Sequence, residues 1–319
     1  MTSALKASQL KKSSTKVAKI CTGLGITVSI GSFLADYLPH TFFIDRYKTA
    51  LQMLRVGQEV PLDSNLKELF HSVLDDLKLS NEDKEKFEPF TIGGFEVYHA
   101  GIPSGKFHAI IGLPINFTYQ DVQSIDSLDI RIGLNRDSLN IYHPAAQDLL
   151  ESLVLSDKAK KFAIAREVLM AQNNVPIYRS IESPIIFTAS VMSAEFLRVK
   201  MNLSNKPLPL TILTFGVSAV MGIMTWFQIR DAINTYYEKQ VDKELAKYGQ
   251  DYIYGGREYY NKILKRNIAL RTLLGAYGAK VYKKDGDEVI TIRQKRTPVS
   301  HRRKFFDDYT FTDNTQEVI

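Results

Sequence analysis

The sequence predicts an α+β membrane protein: an N-terminal anchor helix, a mixed α/β soluble domain, a transmembrane helical hairpin and a helical C-terminal region, in that order. Three observations carry this expectation. Pro207 to Ile229 holds 23 residues without a charge, around LTILTFGVSAVMGIMTWF, where a helix crossing a bilayer core needs about 20. Charge is also unevenly spread. Residues 1–44 hold five Lys and one acid, residues 45–182 hold 15 basic and 20 acidic residues, residues 183–229 hold three and one, and residues 230–319 hold 18 and 13. Finally, helical and strand periodicities alternate between Asp45 and Asn174, the mark of a packed α+β region.

The first element is a basic tail, residues 1–17, leading into an anchor at residues 18–38. Ile20 to Ala35 is uncharged, and the approach to it carries Lys6, Lys11, Lys12, Lys16 and Lys19, several Ser and no acid before Asp36. A basic, Ser-rich, acid-poor start reads as a mitochondrial targeting segment, with a secretory signal anchor as the rival. The sequons at Asn116 and Asn202 bear on that choice, because a glycan on Asn116 is incompatible with mitochondria. The lone Cys21 lies within the apolar segment and has no second Cys to pair with.

The soluble domain is placed at residues 45–175. Leu66, Leu69, Phe70, Val73, Leu74 and Leu77 recur at helical spacing behind Asp63 or Ser64 as cap. Strands are expected at FEVYHA (95–100), FHAIIG (107–112), LDIRIG (128–133) and SLNIY (138–142), the first pair joined by a Pro-Ser-Gly turn. Pro144 opens a helix through Leu155, and Ser156 caps the next. A hairpin is expected over residues 183–229. Its first arm, Ser183 to Ala194, is short for a span and gains weight only from the stronger segment that follows it. Trp226 and Phe227 suit a membrane interface.

Small residues recur every four positions at Gly23, Thr27 and Gly31, at Ala189 and Ser193, and at Thr214, Ser218 and Gly222. Such spacing lets helices approach closely in lipid. The Lys-rich tail and the linker carrying Arg198, Lys200 and Lys206 favour the matrix-like side, which puts both soluble regions on the opposite, intermembrane-space side. Residues 230–285 read as helices packing on the soluble domain through Tyr259, Ile263, Ile268, Leu270, Leu273 and Leu274, with a turn at Gly255 and Gly256. Residues 286–319 read as a short strand, Glu288 to Arg293, and a basic tail that is either solvated or in contact with anionic headgroups.

Most familiar chemistry is excluded. Gly101, Gly105 and Lys106 are one residue too close for a phosphate loop, and Phe107 stands where a magnesium-binding hydroxyl belongs. Gly23-Leu24-Gly25 lacks the third glycine of a dinucleotide fingerprint, and no G-x-S-x-G occurs. The six His include no pair at metal-ligand spacing along a helix. Little aromatic interleaving accompanies the basic stretch, so no nucleic-acid partner is expected. No catalytic residue, metal or cofactor is assigned.

One constellation remains. Arg166-Glu167-Val168-Leu169-Met170 precedes the hairpin, and Glu238-Lys239-Gln240-Val241-Asp242 follows it. The order resembles the HtpX-type membrane metallopeptidases, in which an H-E-x-x-H helix, a membrane hairpin and an E-x-x-x-D helix build a zinc site. Residues i and i+4 share a helix face, so two His there bind zinc while the intervening Glu activates water. Arg166 and Met170 stand in the His positions; a guanidinium does not give up its proton to a metal and a thioether is a poor zinc ligand. Glu167, Glu238 and Asp242 match the acidic positions, so the resemblance implies a degenerate zincin scaffold, with a metallopeptidase of atypical ligands as the alternative.

KFAIAREV (161–168) and GGREYYNKILKRNIALRTLLG (255–275), with the anchor and hairpin in this order, resemble the transmembrane protein 177 family over most of the chain. That resemblance implies a multi-pass protein of the mitochondrial inner membrane. It implies a non-enzymatic role in complex IV biogenesis: association with newly made cytochrome c oxidase subunit II and its dedicated inner-membrane chaperone, in contact with membrane lipids. It brings no catalytic residues.

Overall fold

The long uncharged segments fold as helices in the computed structural model, which describes residues 2–126, 130–132 and 137–309, without the side chains of residues 2–7, 10, 137 and 138. In chain order the elements are helix α1 (Thr2–Tyr37), α2 (Ile44–Leu51), strands β1 (Leu54–Arg55) and β2 (Gln58–Glu59), α3 (Ser64–Asp76), α4 (Asn81–Lys84), β3 (Phe87–Ile92), β4 (Tyr98–Gly101), β5 (Ala109–Pro114), β6 (Arg131–Ile132) and β7 (Asp137–Ser138). Helices α5 (Pro144–Leu153), α6 (Asp157–Gln172), α7 (Val175–Lys200), α8 (Leu208–Leu245), α9 (Gln250–Leu273), α10 (Gly275–Val281) and α11 (Val299–Asp308) complete the chain. Contacts divide it into two units, Met1–Pro39 with Val175–Ile233, and His40–Asn174 with Asn234–Ile319.

The first unit is helical. Among the described residues, two helical stretches are long and apolar enough to cross a membrane: Lys11–Tyr37, and Leu208–Tyr248, whose residues up to Ile233 belong to this unit. The basic tail and the anchor are not separate elements: α1 runs through both without a break. Helix α7 extends well beyond Ser183 to Ala194 on both sides and carries Pro184 in its interior. Small and hydroxylated side chains make the contacts. Ser14 and Thr211 hydroxyls meet at 2.9 Å, the Thr188 hydroxyl donates to Ser29 at 3.2 Å, and the Ser190 hydroxyl donates to the Ser218 carbonyl at 2.6 Å. Arg230 pairs with Asp36, donates to Ser183 Oγ at 2.7 Å and lies 4.5 Å from the centre of the Trp226 ring. Trp226 also donates its indole N–H to Ser183 at 3.1 Å, so it is tied into the bundle.

The small residues of α1 that pack inside the chain are not Gly23, Thr27 and Gly31. A Cβ added at Gly23 or Gly31 would meet nothing within 4 Å, and the Thr27 hydroxyl returns to its own helix at the Gly23 carbonyl. The packed stripe is instead Ser14, Ala18, Gly25 and Ser29, where a Cβ on Gly25 would collide with Val191. On α8 the expectation fits the packing better: Ser218 is buried, and a Cβ on Gly222 would lie 2.8 Å from Ser190 Oγ. Thr214 donates to the Leu210 carbonyl on its own helix.

The second unit is α+β. Asp63 caps α3 through the Leu66 amide, and Leu66, Phe70, Val73 and Leu74 face the core. Strand β5 is buried throughout and lies between β3, parallel to it, and β4, antiparallel. The hairpin of β4 and β5 matches the expected turn, although β4 begins three residues later than FEVYHA. Strand β3 was not anticipated, because Pro89 breaks its ladder potential; at the sheet edge that loss is tolerated. Of LDIRIG, only the pair Arg131–Ile132 is a strand, and residues 128, 129 and 133 lie outside those described. SLNIY contributes only Ser138, in β7, before the chain turns. His143 and Ser156 cap α5 and α6 with their side chains.

Three expectations for the C-terminal part are revised. Gly255 and Gly256 mark no turn; they are buried inside α9, where a Cβ on Gly255 would strike the Lys158 carbonyl and one on Gly256 would lie 2.8 Å from the Phe162 ring. The glycines let α9 and α6 approach, and the actual bend is at Gly249, φ 120°. Glu288 to Arg293 is no strand, having only an isolated bridge from Glu288 to Tyr282. The stretch read as a basic tail is not merely solvated: it contains α11, whose Phe306 is fully buried against Phe162 and Tyr260. Val299, Arg302, Phe306 and Tyr309 recur at steps of three and four, a helical seam masked by the surrounding charges.

Candidate functional site

Helices α6, α8, α9 and α11 meet strand β4 around a buried group of charges. On α8, Glu238 and Asp242 are one turn apart and share a face. On α6, Arg166 and Glu167 point into the same group, held by the capped first turn and the glycine-mediated approach of α9. Arg302 enters from α11.

The carboxylates are consumed by cations. Arg302 grips Asp242 with two bonds, Nε to Oδ2 at 2.6 Å and Nη2 to Oδ1 at 2.7 Å, the fork geometry that favours arginine. The Tyr260 hydroxyl donates to Asp242 Oδ1 at 2.7 Å, and the Arg302 guanidinium sits 4.7 Å from the Tyr260 ring centre. Glu238 lies between two arginines, with its Oε1 3.7 Å from Arg166 and 3.8 Å from Arg302, and its Oε2 accepts the Thr297 amide at 2.8 Å. Arg166 Nη1 meets Glu167 Oε1 at 2.5 Å, and His99 Nδ1 meets Glu167 Oε2 at 2.5 Å. Three carboxylates face two guanidiniums and the His99 imidazole. Beside it, Arg266 joins Glu96 at 2.9 Å and the Phe95 carbonyl at 3.0 Å.

Electrostatics reinforce this locking. Burial alone pushes the Glu167 carboxyl up, but Arg166, His99 and Arg302 more than offset it and bring its pKa down to about 2. Burial also works against the charge on Arg166, and Glu167 leads the groups that hold its proton more tightly than usual. The Tyr260 hydroxyl is pushed well above its ordinary value by burial, so it stays a donor to Asp242.

Of the five positions singled out for their zincin-like order, Arg166, Glu167, Glu238 and Asp242 are thus brought together. Met170 packs against the hydrophobic core of the same unit. The donor set does not fit zinc: the carboxylate oxygens are engaged by guanidinium, hydroxyl, imidazole and amide groups, and neither Arg166 nor Arg302 can serve as a ligand. Among the described residues, no three His, Cys, Asp or Glu side chains are grouped so as to hold a metal ion. Sequence reasoning missed Arg302, His99, Tyr260 and Thr297. For Arg302 the signal was its place in the apolar seam of α11; His99, on a strand, had no local pattern to reveal it.

Asn116 is buried in a 3-10 turn and donates its amide to the Leu153 carbonyl at 3.1 Å, so the folded chain does not present this sequon to a glycosylating enzyme.

No solved structure matches the chain. Transmembrane protein 177 of Xenopus laevis is 29% identical over 277 residues, 86% of this chain and 89% of the relative. That of Danio rerio is 30% identical over 282 residues, 88% and 90% of the two chains, and that of Homo sapiens 28% identical over 284 residues, also 88% and 90%. The profile of the family described as Transmembrane protein 177 matches residues 111–314, a span that contains both arginines and all three carboxylates of the buried group. With that match covering well over half of its length, the chain belongs to the Transmembrane protein 177 family.

Proposed function

We propose that this protein is a non-enzymatic assembly or stabilising factor of the mitochondrial inner membrane that acts on newly made cytochrome c oxidase subunit II together with its dedicated membrane chaperone. The family resemblance supplies the partners. The observation that carries the non-enzymatic reading is the engagement of Glu238 by both Arg166 and Arg302 and of Asp242 by Arg302. A general base works best near the operating pH, and a carboxyl held at about 2 abstracts protons poorly at neutral pH. The buried group acts as a clasp that fixes α6, α8 and α11 as a rigid docking unit.

Charge distribution favours shape over simple electrostatic attraction. The acidic middle is offset within its own unit: its two chain segments hold 14 and 17 Lys and Arg against 19 and 12 Asp and Glu, 31 of each. In the helical unit, Ser218 and Gly222 serve internal packing, whereas Gly23, Thr27 and Gly31 are exposed and available to a partner's hydrophobic span.

Co-purification of subunit II and its chaperone with the tagged chain tests this directly. The pair Gly23→Leu and Gly31→Leu should reduce recovery while leaving the protein folded; undiminished recovery would remove helix-mediated contact. Metal analysis of the purified protein addresses the peptidase alternative. Stoichiometric zinc that disappears on Glu238→Ala would overturn the scaffold reading.

A further inference from the structure

The second unit carries an exposed cluster of aromatic and cationic side chains that the proposed function does not use. Phe42 is 60% exposed and Phe43 43% exposed. Phe42 packs edge-on against Phe107 at 5.5 Å between ring centres. Lys106 lies 5.4 Å from the Phe42 ring and 5.5 Å from the Phe107 ring, and Arg46 lies 5.4 Å from the Phe43 ring. Asp45 and Glu88 are acids of this neighbourhood; they face His108 at 3.7 Å and 3.8 Å, and Glu88 also pairs with Lys48 at 2.6 Å. Two sequence segments are thereby joined: the stretch after α1, and the turn between β4 and β5.

We infer that Phe42, Phe43 and Phe107, with Arg46 and Lys106, form an interfacial foot that rests in the headgroup layer of the bilayer crossed by α1. Aromatic rings with an adjacent cation suit that layer, since the ring reaches the acyl boundary while the cation meets lipid phosphate. Chain connectivity selects this occupant over a protein surface. Phe42 follows the last residue of α1 by five positions, which limits it to about 17 Å from the helix end. That end carries its own stacked aromatic pair, Phe33 and Tyr37, at 5.4 Å, the kind of side chain that marks a membrane interface. Arg46, Lys48 and Lys106 against Asp45 and Glu88 leave a cation in excess, which favours a leaflet with anionic lipid. The inference rests on α1 spanning the bilayer.

The test uses the full chain on a Cys21→Ser background, labelled with an environment-sensitive fluorophore at single cysteines and reconstituted in phosphatidylcholine vesicles with and without phosphatidylglycerol. Phe42→Cys is the reporter, Ile26→Cys marks the span, and Glu82→Cys, on an exposed helix, marks solvent. Lipids brominated near the headgroup should quench the probe at position 42 and spare the one at 82, with iodide showing the reverse. Lys106→Glu with Arg46→Glu should raise iodide quenching at position 42 about two-fold in the anionic vesicles and change little in the neutral ones. Iodide quenching at 42 equal to that at 82, with position 26 quenched by deeply brominated lipid, would overturn the foot and leave the span intact. Failure of lipid quenching at position 26 would overturn both.

Discussion

The two units bury opposite chemistries. In the helical unit, Leu24, Ile26, Ile30, Ile185, Met192, Leu213, Val220 and Met221 face outward while Ser14, Ser29, Thr211 and Ser218 are enclosed. In the α+β unit, Phe70, Ile110, Phe162 and Phe306 are enclosed. The first pattern is stable only where the surroundings are as apolar as the exterior, because helices in lipid gain nothing by hiding Leu and much by close approach and hydroxyl contact. The second follows water. Glycine serves both: Gly25 and Gly222 admit neighbours in the helical unit as Gly255 and Gly256 do in the other. A glycine contact therefore says nothing about solvent, whereas the outward residues do. The units differ as well in what they do with charge, since the α+β unit encloses five ionised groups in a network that includes a bidentate arginine grip.

That last difference should give the largest effect. Arg302→Ala leaves Asp242 and Glu238 buried with one cation fewer, and removing one partner of a buried pair costs about 3–5 kcal/mol. Unfolding of the α+β unit, followed in detergent by denaturant titration, should move by that amount. Replacing the whole grip, Arg302→Met with Asp242→Leu, should recover much of it, because desolvation of the ions is then no longer required. If the double variant is no more stable than the single one, the clasp contributes more than its charge balance.

Acidification should produce the next effect and in the same unit. The folded Glu167 carboxyl gives up its proton at about 2, against an ordinary value of 4.5. Folding is therefore favoured above the unfolded value, and this contribution is lost as pH falls from about 4.5 to about 2, on the order of a few kcal/mol. Glu167→Gln should flatten that segment of the stability profile. A profile unchanged by the substitution would mean that another carboxylate governs acid unfolding.

How much of this was legible in the sequence depended on whether the signal was local. The cap Asp63, the periodic face of α3 and the uncharged run of α8 each act within a few turns, and each was readable. Strand β3 was hidden by Pro89, whose meaning depends on an edge position that only the pairing of β5 defines. Gly255-Gly256 looks like a turn in sequence and is a helix contact in space, since Lys158 and Phe162 lie about a hundred positions away. The candidate site was half visible. Helical spacing placed Glu238 with Asp242, and the resemblance to an H-E-x-x-H helix singled out Arg166 and Glu167, but Arg302 and His99 reach the group from distant segments.

The smallest effect separates the units by their solvent. Ser14 and Thr211 share a buried hydrogen bond at 2.9 Å between α1 and α8. Such interhelical bonds are worth about 0.6 kcal/mol on average in a membrane, because the unassembled helices find other partners. Ser14→Ala should therefore weaken the helical unit by roughly that amount, read by thermal unfolding in lipid nanodiscs. In water the same loss leaves the Thr211 hydroxyl buried and unsatisfied, at about 1–3 kcal/mol. A destabilisation near the larger figure would mean that α1 and α8 associate from an aqueous unfolded state, contrary to the lipid exposure that their outward faces imply.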